Sequence, residues 1–92
     1  MTNEAVHETH PEIIKRLRRA EGHLRSITAM LEAGRPCLDI AQQLQAVEKA
    51  VTNAKKALIQ DHIDHCLEAA VNTTGRDQRQ AADEFKAITK YL

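Results

Sequence analysis

Apolar residues recur early in the chain at Ile13, Leu17, Ala20, Leu24, Ile27 and Leu31, in alternating steps of four and three. That heptad spacing predicts a helix with a single apolar stripe. Pro11 fits the first turn of this helix, with Thr9 or His10 as the cap. At about 100° per residue, Lys15, Arg16, Arg18, Arg19 and Arg25 fall away from the stripe. Gly22 within it is a candidate for a close helix crossing. Gly34 ends the helix and Pro36 begins the next, so the connection is a very short turn. A second stripe runs through Ile40, Leu44, Val47, Val51, Ala54 and Leu58, and nothing breaks it before Asn72-Thr73-Thr74-Gly75. The second helix is therefore expected to span about 35 residues, or ~50 Å, well beyond an ordinary globular helix. Helix one can cover only its first two-thirds, and the far end is expected to overhang unless another subunit covers it. A third helix is expected from about Asp77 to the end, with Ala81, Phe85, Ile88 and Leu92 on one face. Residues 1–9 are polar and aperiodic, which predicts a mobile arm ahead of a single domain over 10–92.

Composition supports helices over sheet: aromatic residues make up 2% of the 92, with three Gly and two Pro. The expected class is all-α, a three-helix protomer with a long second helix. A chain this short buries a modest core, so assembly with further copies is a natural source of stability. Formal charge is zero but unevenly spread. Between Pro11 and Pro36, Lys15, Arg16, Arg18, Arg19, Arg25 and Arg35 face only Glu12, Glu21 and Glu32, whereas the segment from Asp61 onward leans acidic. A basic helix face is most often merely solvated, and zero net charge is a poor advertisement for nucleic acid. Segregated charge is the counter-argument, because an oligomer tiles several such faces into one surface. No apolar run is long enough for a signal peptide or membrane span, so the cytoplasm is the expected compartment, with no membrane partner.

Two cysteines in a reducing compartment favour metal or redox chemistry over a disulfide. The segment Asp61-His62-Ile63-Asp64-His65-Cys66 places His62 and Cys66 four residues apart, stacked on one helical face. Imidazole nitrogen and thiolate sulfur suit a soft or borderline ion. A buried cysteine acting as a small hydrophobe, beside a surface histidine, has the same spacing. Cys37 is the other cysteine, at the start of helix two and about 40 Å from Cys66 along the same rod. The two cannot share an ion within one protomer. In an antiparallel dimer of helix two, Cys37 of one chain comes beside His62 and Cys66 of the other, at both ends of an isologous interface. His23 and His65 read as surface or supporting residues. An enzyme with Cys37 as nucleophile and His62 as base is the weaker alternative, because no oxyanion-hole loop or Gly-rich turn accompanies them. A metal chaperone or storage bundle is another, but needs no Arg-rich face.

The run from Arg16 to Arg25 (RLRRAEGHLR), that from Arg35 to Leu44 (RPCLDIAQQL), Ala46-Val47 and Asp61–Cys66 (DHIDHC) together resemble the CsoR/RcnR family of bacterial metal-sensing repressors. The resemblance extends from about His10 to Leu92. It implies an antiparallel four-helix-bundle dimer, a dimer-of-dimers homotetramer, and operator double-stranded DNA bound without a helix-turn-helix and released by an effector. Carried over by position, Cys37, His62 and Cys66 match the ligands of the copper(I) sensors, with one ion per inter-subunit site. The nickel and cobalt sensors add an arm histidine, whose usual place falls near Ala5 here; His7 and His10 are the nearby substitutes for Ni(II) or Co(II). Pro36 stands where many copper sensors carry a tyrosine, and the His10-Pro11-Glu12 opening is closer to the nickel/cobalt branch. Arg16 and Arg19 match DNA-contacting positions, to which Lys15, Arg18 and Arg25 add charge. A further basic position in helix two is Asn53 here, with Lys55 and Lys56 beside it. Release of the operator would derepress metal efflux or resistance genes. Within the same family, persulfide sensing through Cys37 and Cys66, or formaldehyde sensing through Cys37, is the alternative.

Overall fold

A computed structural model describes residues 9–72 and 75–92. They form three helices, α1 (His10–Glu32), α2 (Cys37–Asn72) and α3 (Arg76–Thr89), with no strand among the described residues. The expected mobile arm, His7 included, lies outside the described residues except for Thr9.

Local chemistry sets the helix ends. Thr9 caps α1 through its backbone carbonyl, which accepts a hydrogen bond from the Ile13 amide at 3.0 Å. Its side chain makes no capping bond. At the other end the Arg35 amide donates to the Met30 carbonyl (3.0 Å) and the Gly34 amide to that of Leu31 (3.1 Å). This pair of bonds is a Schellman motif, and it requires the left-handed backbone that Gly34 adopts at φ +71°. The Pro36 carbonyl then accepts from the Ile40 amide and opens α2. The chain thus reverses within a few residues, as the Gly34/Pro36 pair predicts.

The 36 residues of α2 form the spine of a molecule 59 Å in its longest dimension. α1 lies antiparallel along its first part, with Ile27 clustered against Ile40 and Val47. Each heptad stripe divides in two. One row of each (Ile13, Ala20 and Ile27; Ile40, Val47 and Ala54) is buried inside the hairpin. The other row stays open: Leu17, Leu24 and Leu31 of α1 and Leu44, Val51 and Leu58 of α2 are 39–60% exposed.

The far end of α2 does not overhang. α3 folds back along it, and beneath α3 the buried face of α2 shifts to Ile59, His62, Ile63 and Cys66. Ile59 follows Ala54 by five residues, a rotation of about 140° at 100° per residue. α1 and α3 therefore pack on different sides of the spine. Ile59 is 2% exposed and Cys66 is 4%. Ala81 of α3 is buried, with Phe85 and Ile88 half-buried on the same face. Leu92 departs from that expected face. Successive i+3 bonds from Lys90, Tyr91 and Leu92 tighten the chain after Thr89, and Leu92 is left exposed. Gly22 does not mark a close crossing, since a Cβ added there meets nothing within 4 Å.

Candidate metal centre

His62 and Cys66 share the face of α2 that α3 covers, so their i,i+4 spacing becomes a converging pair of donors. α3 adds a third. The Oε2 of Glu84 lies 4.0 Å from the Nε2 of His62, and one ligand atom from each of His62, Cys66 and Glu84 lies within 4.8 Å of the other two. The cluster therefore offers imidazole nitrogen, thiol sulfur and carboxylate oxygen. Burial is graded across it: Cys66 is buried, His62 half-buried and Glu84 exposed. An ion there is sequestered on its sulfur side and reachable from the carboxylate side. This donor set fits a transition-metal ion.

Cys37 is exposed at the first turn of α2, at the opposite end of the spine from Cys66. Near it Arg35 and Asp39 form an exposed ion pair at 3.6 Å. His10 begins α1 and is half-buried. Because α1 runs antiparallel to α2, His10 lies toward the His62 end of the molecule. His65 turns away from the cluster and pairs with Asp61, one turn earlier, at 3.7 Å.

The basic candidates do not form one surface. An open depression between α1 and α2 is lined by Glu12, Arg16, Arg19, Ala20 and His23 on one side and by Ala50 and Asn53 on the other. Arg16 and Arg19 are thus brought together with Asn53. Lys15, Arg18, Arg25, Lys55 and Lys56 are exposed outside that depression. Arg18 and Arg25 sit about 180–200° around the helix from Arg16, at 100° per residue. His23 is more than a surface residue: its Nε2 lies 2.6 Å from Oε1 of Gln43, tying α1 to α2 behind Arg16 and Arg19.

Sequence reasoning missed Glu84 and Gln43. Glu84 carries a usable signal, since it falls three residues after Ala81 on the α3 face that packs on α2. That signal has meaning only once α3 is known to fold back.

A helical hairpin with an Arg-lined cleft and a thiol/imidazole/carboxylate cluster combines a basic surface with a potential metal site. Residues 9–91 match the family profile of metal-sensitive transcriptional repressors, and the chain belongs to that family. Its members are transcriptional repressors, not enzymes. The copper-sensing transcriptional repressor CsoR of Bacillus subtilis is 38% identical over 86% of this chain and 80% of its own length. The protein of the same name from Mycobacterium ulcerans is 37% identical over 85% of this chain and 65% of its own. Among solved structures, the nickel-responsive transcriptional regulator InrS superposes with a TM-score of 0.80 at 27% identity, over 92% of this chain and 93% of that one. Among the described residues no helix is long and apolar enough to cross a membrane.

Proposed function

We propose that this protein binds operator DNA in its metal-free form and leaves it when Cu(I) or Ni(II)/Co(II) occupies a site between two protomers. The observation that carries the proposal is the open row of Leu17, Leu24, Leu31, Leu44, Val51 and Leu58 along the hairpin. A row this long calls for a cover, and a second hairpin lying antiparallel against it completes a four-helix bundle. In that arrangement Cys37 of one protomer comes beside His62 and Cys66 of the other, and each dimer holds two sites. Two such dimers forming a tetramer would present four Arg16/Arg19 clefts, with Lys15, Arg18, Arg25, Lys55 and Lys56 adding to the field around them. His10, at the same end as His62, and His7 on the arm are the further candidate ligands for Ni(II) or Co(II).

Metal binding can release DNA only if DNA prefers the metal-free shape. An ion held between Cys37 and the α2/α3 end of a second protomer fixes how two hairpins sit against each other, and so the spacing of the clefts. Burial of Cys66 favours this metal reading over persulfide sensing, because a soluble persulfide needs access to the sulfur it attacks. The test is a fluorescence-anisotropy titration of the protein's own promoter region under reducing conditions, with and without Cu(I) and Ni(II). Weaker operator binding with either ion is the expected result. Unchanged affinity with both overturns the proposal.

A further inference from the structure

The depression that holds Arg16 and Arg19 also holds a histidine with one ring nitrogen already bonded. His23 lies one turn after Arg19 and two turns after Arg16, and it lines the same depression. Its Nε2 stands 2.6 Å from Oε1 of Gln43 on α2. A carbonyl oxygen only accepts, so Nε2 carries the hydrogen whether the ring is neutral or charged. Nδ1 has no partner among the described residues and is therefore the atom that gains or loses a proton. We propose that His23 is a third anion contact of this cleft, taking up a proton at Nδ1 when a DNA phosphate enters beside Arg16 and Arg19. The inference rests on the DNA-binding reading above, and names a residue and a proton that take part in it.

The groups around His23 decide what such a proton does. On its own helix these are Arg16 and Arg19, which oppose a further positive charge, and Glu12, which favours one. α2 is the element packed along this part of α1, and its wall of the depression is Ala50 and Asn53, neither of them charged. Asp39, one turn before Gln43, is paired with Arg35 at 3.6 Å. With His23 neutral, two arginines against one glutamate leave the depression at a net charge of +1. The next cation available to an anion there is the imidazolium of His23. An entering phosphate offsets the repulsion from the two guanidinium groups and offers Nδ1–H an acceptor. Proton uptake on binding makes binding stronger as pH falls, by linkage. Imidazole is the side chain whose charge changes between about pH 5 and 8, so the effect falls in an accessible range. Gln43 holds the ring between the helices in both charge states, and both side chains are half-buried there.

The test uses full-length, metal-free protein under reducing conditions and a labelled duplex of its own promoter region at constant ionic strength. Wild-type affinity by anisotropy should fall at least ~5-fold from about pH 6 to about pH 8. His23→Gln keeps an amide donor for Gln43 but cannot titrate. The variant should bind within about threefold of wild type at about pH 8 and lose most of the pH dependence. A purely structural role predicts an equal loss at every pH instead, and that result overturns the inference. So does a wild-type pH dependence in His23→Gln. A measurement on the wild type stands whether or not the variant folds: long-range proton–nitrogen spectra of the histidine rings, free and operator-bound, at about pH 7. The imidazolium fraction of His23 should rise on binding, and its neutral form should carry the hydrogen on Nε2. An unchanged fraction overturns the inference. A wild type that binds no operator at any pH removes the DNA-binding reading and this inference together, whereas pH-independent operator binding removes this inference alone.

Discussion

Arg16 and Arg19 line one cleft with Asn53, while Arg18 and Arg25 lie on the other flank of α1. Equal charges in unequal positions make a residue-level prediction. Arg16→Ala and Arg19→Ala should each weaken operator binding and lower the slope of log affinity against log salt by about one. Arg18→Ala and Arg25→Ala should change it less, and none of the four should alter metal affinity. Salt-dependent anisotropy on the four variants checks this, and equal losses in all would mean that the cleft is not the DNA-facing element. Sequence reading resolved the charges but not which of them share a cleft, because the flank of α1 that meets Ala50 and Asn53 of α2 is set by the helix packing. His62 and Cys66 were legible for the opposite reason, since an i,i+4 pair on a long helix converges whatever the tertiary structure. Glu84 was not, because its partners come from a helix pairing that no local pattern encodes.

Between elements, the α1–α2 hairpin was readable almost to the residue. Two heptad stripes bracket Gly34 and Pro36, and each of those residues allows little else at its position. The α2–α3 pairing was hidden. Past Ala54 the buried face of α2 moves from the Ile40/Val47/Ala54 row to Ile59 and Cys66, so a stripe extended straight through Leu58 leads the eye off the core. Among the described residues Ile59 is the largest fully buried side chain, and it lies about one turn before His62, which faces Glu84 of α3. Burying it contributes about 1.5–3 kcal/mol, and truncation adds a cavity term. Ile59→Ala should therefore cost about 2–5 kcal/mol in urea unfolding. It should also loosen α3, raising hydrogen exchange in the segment that carries Glu84 before it does so in α1. Equal exchange increases in α1 and α3 would indicate that the protomer opens as one unit, with no separate α2–α3 layer.

For the whole molecule the arrangement of Cys37 and Cys66 is decisive. They stand at opposite ends of one α2, about 40 Å apart at 1.5 Å per residue, so a site that needs both must draw on two chains. An antiparallel dimer has two such sites, each taking Cys37 from one chain and His62 with Cys66 from the other. Cys37→Ala homodimers then lack a ligand at both sites, as do Cys66→Ala homodimers. A mixed dimer of the two variants concentrates both lesions in one site and leaves the other complete. Unfolding and refolding the two variants together at equal concentration should yield mixed dimers as half of the population. High-affinity Cu(I) capacity should then return to about a quarter of the wild-type value for randomly paired isologous dimers. Each variant refolded alone should show none of that capacity. Competition against a tight Cu(I) chelator measures it directly. A parallel dimer, or a site confined to one protomer, restores nothing on mixing. Recovery near one quarter is specific to ligands shared across a two-fold axis, because it depends on which chain contributes each sulfur rather than on how many sulfurs are present.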